Sequence, residues 1–199
     1  LKKMFFPANE KAKELISAPD FGPVSLATFQ YPQAVPTVEE FEAYLVRGEA
    51  NRVTWFLDHL CHPVSLIVYL LGMPSSLHYR RSSTGSGAVD FTFDSGAVAM
   101  LSLPSGGSLD GGMERTAIYS REARHVVVEN NIKVSLHRNP PRAPDAGYGA
   151  APHYFTGAPS EATASWEPEF SLGQLYNKGL FLLGYYNEVN EFARAILEK

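Results

Sequence analysis

The chain has 199 residues, of which 45% are hydrophobic and 19% are charged. This composition excludes general disorder, and the length is sufficient for one domain with a buried core. The formal net charge is −4, and Lys or Arg residues are adjacent only in the pairs Lys2-Lys3 and Arg80-Arg81. The sequence therefore predicts neither a nucleic-acid partner nor binding to an anionic membrane.

The cysteine content and the hydropathy of the chain predict the cellular compartment of the protein. Cys61 is the single cysteine, so no internal disulfide can form, which is typical of a reducing compartment. The most apolar run, residues 53–71, is interrupted by Asp58, two histidines and a proline, and we interpret it as a buried helix and not as a membrane span. No signal peptide is recognisable. We expect a cytoplasmic protein.

The first third of the chain is predicted to be mainly helical. Pro7 is suited to the first turn of a helix, and Thr37 with Glu40 has the spacing of a capping box. Pro63 removes a backbone donor, so a kink beside His62 is expected. The predicted elements are a helix at 8–16, a strand at 24–31, a helix that starts at the capping box, runs through about Val46 and ends near Gly48, and a helix at 54–72.

From residue 77 to residue 137 the apolar residues recur at every second position, which is typical of strands with one buried face. Short turn-forming breaks at 94–96 and 130–131 favour antiparallel hairpins over crossover connections. The final segment, 174–199, has helical spacing at Leu182, Tyr186, Val189, Ala193 and Ile196, and we expect this helix to pack across the sheet. The sequence predicts an α+β fold with an open, mostly antiparallel β-sheet and helices on one face.

Residues 139–170 show no periodic pattern and are rich in proline and aromatic residues. A loop of this length within a compact domain is usually a lid, a binding loop or disordered. The favoured interpretation is an ordered surface segment anchored by its aromatic side chains. The alternative is one wall of a substrate pocket, in which Tyr148 and Tyr154 would contact the apolar face of a sugar or cyclitol.

Asp58 and His62 are the candidate catalytic residues. Their spacing of four places them on one face of the predicted helix, with Cβ atoms about 5–6 Å apart. An acid and a base on an apolar wall suit proton transfer, although a surface pair or a core histidine has the same spacing. No metal site is predicted, because His59 lies on a partly different face and no fourth ligand is obvious.

Asp58, His62 and the apolar run ending at Leu71-Gly72 resemble the Asp-x-x-x-His motif of the Gfo/Idh/MocA family, the relatives of glucose-fructose oxidoreductase and inositol dehydrogenase. The opening segment 2–7 and the hairpin 94–98 also resemble segments of that family's second domain, in the same order. The resemblance covers most of the chain. It implies the C-terminal, substrate-binding domain of an NAD(P)-dependent oxidoreductase acting on a sugar, cyclitol or related polyol.

The resemblance also implies roles for individual residues. His62 is expected to be the general base, and Asp58 to bind a substrate hydroxyl or orient the imidazole. Lys3 aligns with the first arginine of the family's basic pair and is expected to contact substrate, while Met4 replaces the second. Trp55 stands among residues that replace the family's glycines, and we expect it to narrow the pocket.

Two features of the family are missing from the sequence. There is no G-x-G-x-x-G turn opening a helix and no Glu-Lys-Pro lysine. We therefore expect 1–199 to be a single substrate-binding and oligomerisation domain from which the N-terminal Rossmann domain is absent. NAD or NADP would be bound mainly by that domain, so the chain alone is expected to bind no cofactor and to be inactive.

Two alternatives remain open, namely a non-catalytic ligand-binding or dimerisation module of the same fold, and a non-redox lyase or hydrolase relative. A homo-oligomer is expected in each case. The predicted helices are too few to cover both faces of the sheet, and members of the family commonly pair through this sheet.

Overall fold

The computed structural model describes residues 2–48, 51–106, 114–138, 163–167 and 183–198. The chain opens with a 3-10 turn at Lys2–Phe5. The helices are α1 Pro7–Ser17, α2 Val38–Arg47, α3 Asn51–Leu71 and α4 Tyr185–Leu197. The strands are β1 Val24–Gln30, β2 Ser76–Arg81, β3 Gly87–Thr92, β4 Val98–Leu103, β5 Arg115–Ser120, β6 Arg124–Glu129, β7 Lys133–Arg138 and β8 Thr163–Trp166.

The helix boundaries have local causes that the sequence predicts. Pro7 occupies the first turn of α1. At α2 the Glu40 amide donates to Thr37 Oγ1 at 3.2 Å and the Thr37 amide donates to Glu40 Oε2 at 2.6 Å, which completes the capping box. Gly48 ends α2 in the left-handed conformation, with φ of 66°, where a side chain would be strained.

The sheet has eight strands in the order β2-β3-β4-β1-β5-β6-β7-β8. β1 pairs in parallel with β4, and all other neighbours are antiparallel. The predicted turn at Asn130 and Asn131 joins β6 to β7, and both residues have positive φ, 55° and 57°, a conformation that asparagine tolerates better than most residues. The predicted hairpins are confirmed.

One face of the sheet forms the core with the helices. Its buried side chains, which alternate with exposed ones along β4, meet apolar side chains of α1 and α3, among them Ala27, Phe29, Ala99, Leu101, Ile118, Val126, Ala12, Leu66, Ile67 and Leu70. On the opposite face Val98, Met100 and Tyr119 are 38%, 43% and 37% exposed. The α+β fold with an open, mostly antiparallel sheet and helices on one face is confirmed.

The C-terminal helix differs from the prediction. Lys2 Nζ donates to the Tyr185 hydroxyl and Asn187 Nδ2 to the Glu10 carboxylate, so α4 lies beside the start of the chain. Val189 and Ile196 are 65% and 59% exposed. The expectation that these side chains pack across the sheet is wrong, because polar contacts with the first turn and α1 position the helix instead.

Within the described residues, α3 alone is long and apolar enough to cross a membrane by length and composition, with mean hydropathy 1.2 over Arg52–Leu71. Core helices meet the same criterion. Phe56, Leu66, Ile67 and Leu70 of α3 belong to the domain core. These contacts account for part of the apolar surface of α3, since 33% of this apolar segment is buried.

Candidate functional site

α3 places Asp58 and His62 one turn apart, as the spacing predicts. Asp58 is exposed and His62 is half-buried. Among the described residues, no hydrogen bond or ion pair joins the two side chains. Both side chains therefore point to the same side of the helix, but they do not bind each other.

The surroundings of His62 favour the neutral form of its imidazole ring. Its Nδ1 atom is buried, with no hydrogen-bond partner in the described part of the chain. Burial lowers the pKa of His62 below its ordinary value, the positive charges of Lys3 and Lys2 lower it further, and Asp58 opposes the change. A neutral imidazole can accept a proton, and Nε2 is the ring nitrogen that remains to meet a ligand.

Lys3 is buried, and an intramolecular partner engages its ammonium. Nζ lies 2.5 Å from the Glu114 carboxylate and 4.2 Å from the centre of the Tyr31 ring. Asn131 Nδ2 donates to the same carboxylate at 2.7 Å, and Asn9 Nδ2 donates to the Lys3 carbonyl at 2.8 Å. Burial lowers the pKa of Lys3, and the negative charge of Glu114 opposes that effect.

A small cavity lies against this network, lined in part by Lys3, Tyr31, Pro63 and Glu114. Its volume is about 10 Å³, roughly the space of one water molecule. Burial and then Glu114 raise the pKa of Tyr31 to about 12, so its hydroxyl stays protonated. The cavity is too small for a sugar and supplies only a polar wall beside α3.

Trp55 precedes Asp58 by three residues and is 66% exposed, so the two lie on one side of α3. Its ring stacks on His59, with centroids 5.5 Å apart and planes at 16°. His59 Nδ1 lies 2.7 Å from the Trp55 carbonyl oxygen. Trp55 thus presents an aromatic surface next to the proposed acid and base.

Two predicted substrate contacts, Tyr148 and Tyr154, lie outside the described residues. In the described ranges no group of three or more His, Cys, Asp or Glu side chains could hold a metal ion. Sequence reasoning missed Tyr31, Glu114 and Asn131. Each stands at a strand end or in a turn, where a single sequence gives no periodic signal.

The described starts of α1, α2 and α4 carry no glycine-rich turn. A pyrophosphate is bound by a glycine-rich turn that opens a helix. Phe6 precedes α1 and Thr37 precedes α2, and the glycine turn at Gly85 joins two strands. A single glycine, Gly184, precedes α4, whereas the fingerprint of a dinucleotide site has three glycines.

Comparison with known families gives a match over residues 9–134 to the GFO/IDH/MocA C-terminal domain. No curated protein sequence matches the chain. Among solved structures, a dehydrogenase from Chromobacterium violaceum is similar to it, with a TM-score of 0.70 and 18% identity, over 99% of this chain and 52% of that one.

Two further structures are similar. Levoglucosan dehydrogenase in complex with NADH and L-sorbose has a TM-score of 0.64 and 15% identity, over 99% of this chain and 55% of that one. GenD2 from gentamicin A biosynthesis in complex with NAD has a TM-score of 0.57 and 18% identity, over 99% and 52%. At these identities the likeness shows the fold, and the chain spans about half the length of each relative.

Proposed function

The chain belongs to the Gfo/Idh/MocA family as one of its C-terminal domains, and we propose that it is the substrate-binding and oligomerisation domain of an NAD(P)-dependent oxidoreductase. In this proposal the substrate is a sugar, cyclitol or related polyol. A nucleotide-binding domain elsewhere in the longer protein holds NAD or NADP and supplies the family's lysine.

The main observation in support of this proposal is the lowered pKa of His62, which lies on α3. Oxidation of a secondary alcohol releases the hydroxyl proton, so a neutral base must lie within hydrogen-bond reach of that hydroxyl. The lowered pKa of His62 keeps the ring unprotonated near neutral pH, and Nε2 accepts the proton. Asp58, one turn earlier, accepts a hydrogen bond from a neighbouring substrate hydroxyl.

The surroundings of His62 suit a neutral, hydroxyl-rich ligand. Trp55 offers an exposed ring for the apolar C–H face of a sugar. The ammonium of Lys3 is already compensated by Glu114, so it adds no free positive charge for an acidic substrate. L-sorbose in the levoglucosan dehydrogenase structure is a ligand of this chemical class.

One observation favours a second candidate, a non-catalytic ligand-binding or dimerisation module of the same fold. Asp58 is exposed and, among the described residues, forms no hydrogen bond with the His62 ring. The Lys3 ammonium is bound by Glu114. A domain that no longer performs the chemistry would tolerate this arrangement.

The coding sequence around this chain tests the proposal first. We expect a G-x-G-x-x-G turn between a strand and a helix, and a lysine in a Glu-Lys-Pro motif, ahead of residue 1. If the longer protein lacks both, the redox assignment is wrong and the non-catalytic module becomes the better description.

Ligand binding tests the site itself. In the chain labelled with ¹⁵N-histidine, myo-inositol or L-sorbose should shift the ring signals of His62 and leave those of His78, on strand β2, unchanged. The variant Asp58→Asn should weaken this shift. If neither polyol moves the His62 signals, or if His78 moves equally, then α3 does not form the substrate site.

A further inference from the structure

Three rings form a row across the open face of the sheet. Tyr119 of β5 is paired with His125 of β6, and His125 with His137 of β7. The Tyr119 and His125 rings stack with centroids 5.2 Å apart, and the two histidine rings stack at 4.3 Å with planes at 9°. Since the adjacent Ile118 and Val126 point into the core, this ring row points away from the helices.

The neighbours of the ring row define its electrostatics. The charged side chains on the same face in the described part of β5, β6 and β7 are Arg115, Glu129 and Lys133. Thr163 Oγ1 of β8 lies 3.2 Å from His137 Nδ1. Two parallel imidazoles at this separation repel each other strongly once both carry a proton, and the nearby arginine adds to that cost.

The size of the open face matches a self-association surface. Eight strands about 4.8 Å apart, each about six residues long at about 3.3 Å per residue, cover about 750 Å². A standard protein interface buries about 800 Å² on each partner. This area is that of the whole face, on which Ala117 and Val127 are already buried within the chain, while Val98 and Met100 supply exposed apolar side chains for a second copy.

We propose that protonation of His125 and His137 releases the second copy of the chain that, in the proposed function, covers the open face. The proposal rests on the oligomerisation part of the proposed function and adds a proton-controlled contact to it. Burial, then His137 and Arg115, lower the pKa of His125, so His125 is less readily protonated than an ordinary histidine. As the pH falls, positive charge appears at the centre of a surface that must be desolvated for the two copies to bind.

Sedimentation equilibrium at about pH 8 and about pH 5.5 tests this proposal on three proteins, namely the wild-type chain, the double variant His125→Gln/His137→Gln and the control variant His59→Gln. The wild type should be a dimer of the 21.9 kDa chain near pH 8, with a dissociation constant at least about tenfold higher at the lower pH. The double variant should show the same affinity at both values. His59→Gln should behave as the wild type, because His59 lies on α3, which packs on the opposite face of the sheet.

Three outcomes would overturn the inference. A wild-type dimer that is insensitive to pH would refute proton control and leave the oligomerisation proposal intact. A wild-type monomer at both pH values would refute the interface itself. Unchanged pH dependence in the double variant would place the titrating groups elsewhere. Circular dichroism of the variants near pH 8 verifies that they fold, and the single variant His137→Gln serves if the double variant does not.

Discussion

The Lys3 ammonium and the Glu114 carboxylate lie 2.5 Å apart and join the first helical turn to the residue that precedes β5. The Lys3 side chain is 8% exposed and that of Glu114 is 32% exposed. Asn131, in the turn between β6 and β7, donates to the same carboxylate. A single charged contact thus connects three parts of the chain that meet beside α3.

Replacement of Lys3 by methionine should lower the free energy of unfolding by about 2 kcal/mol. Within the described residues, the substitution leaves the Glu114 carboxylate with the Asn131 side chain as its donor, and removing one partner of a charged hydrogen bond costs about 1–3 kcal/mol. Urea unfolding followed by circular dichroism measures the change.

Lys11→Met is the matched control for this prediction. Lys11 pairs with Glu14, whose side chain is 67% exposed, and such surface ion pairs contribute at most about 1 kcal/mol. If Lys3→Met costs no more than Lys11→Met, the buried pair does not stabilise the domain.

The capping box of α2 gives a second prediction. Thr37→Ala removes the hydroxyl that accepts from the Glu40 amide and should destabilise the domain by about 1 kcal/mol. Thr54→Ala, at an exposed position inside α3, should be neutral or slightly stabilising because alanine favours helix. Chemical unfolding of both variants separates the two. If the two variants are equally stable, the Thr37 hydroxyl contributes nothing to the stability of the domain.

The helices and hairpins were predictable because their signals are local. Thr37 with Glu40 specifies a helix start within four residues, and Asn130-Asn131 specifies a turn between two alternating runs. The parallel pairing of β1 with β4 was not predictable, because two helices and two strands separate them in sequence. No local rule expresses a pairing over that distance.

The site was predictable only in part. Asp58 and His62 share a helix face because helical geometry fixes their spacing. The ion pair between Lys3 and Glu114 depends on the packing of distant segments. Nothing near either residue in the sequence indicates this pair. The C-terminal helix shows the same limit, since its apolar pattern indicated a buried face while its polar contacts determined where it lies.

Acid should weaken the fold through His62 and His125. Burial lowers the pKa of both in the folded chain, while a histidine in the unfolded chain titrates near about 6.5. Below that pH the unfolded state binds protons first, so stability is fully present above about 6.5 and is lost as pH falls through the lowered folded values.

Urea unfolding at about pH 7.5 and about pH 5 checks this prediction. His125→Gln should lose less stability over that interval than the wild type, and the exposed His78→Gln should lose as much as the wild type. If the His125 variant and the wild type lose the same amount, the ring does not couple folding to protonation.

The chain alone should bind neither NAD nor NADP appreciably. In the described ranges no glycine-rich turn opens a helix toward a phosphate. Isothermal titration of residues 1–199 with each cofactor measures this. Binding with a dissociation constant of about 1 μM, equivalent to about 8 kcal/mol, would require a cofactor site of a different kind within this domain.

In the longer protein that carries the proposed nucleotide-binding domain, His62→Ala should lower kcat by about two orders of magnitude or more, because a positioned base contributes about 10²–10⁴-fold. Asp58→Asn should have an effect of similar size, since it removes the carboxylate charge beside the imidazole. His59→Ala is the control, as that ring stacks on Trp55 and takes no part in the proposed proton transfer. Steady-state rates with a polyol substrate, normalised to the folded fraction from thermal unfolding, provide the measurement. Variants of Asp58 and His62 that lose only stability, with unchanged activity per folded molecule, would make the pair structural and leave the domain without its proposed base.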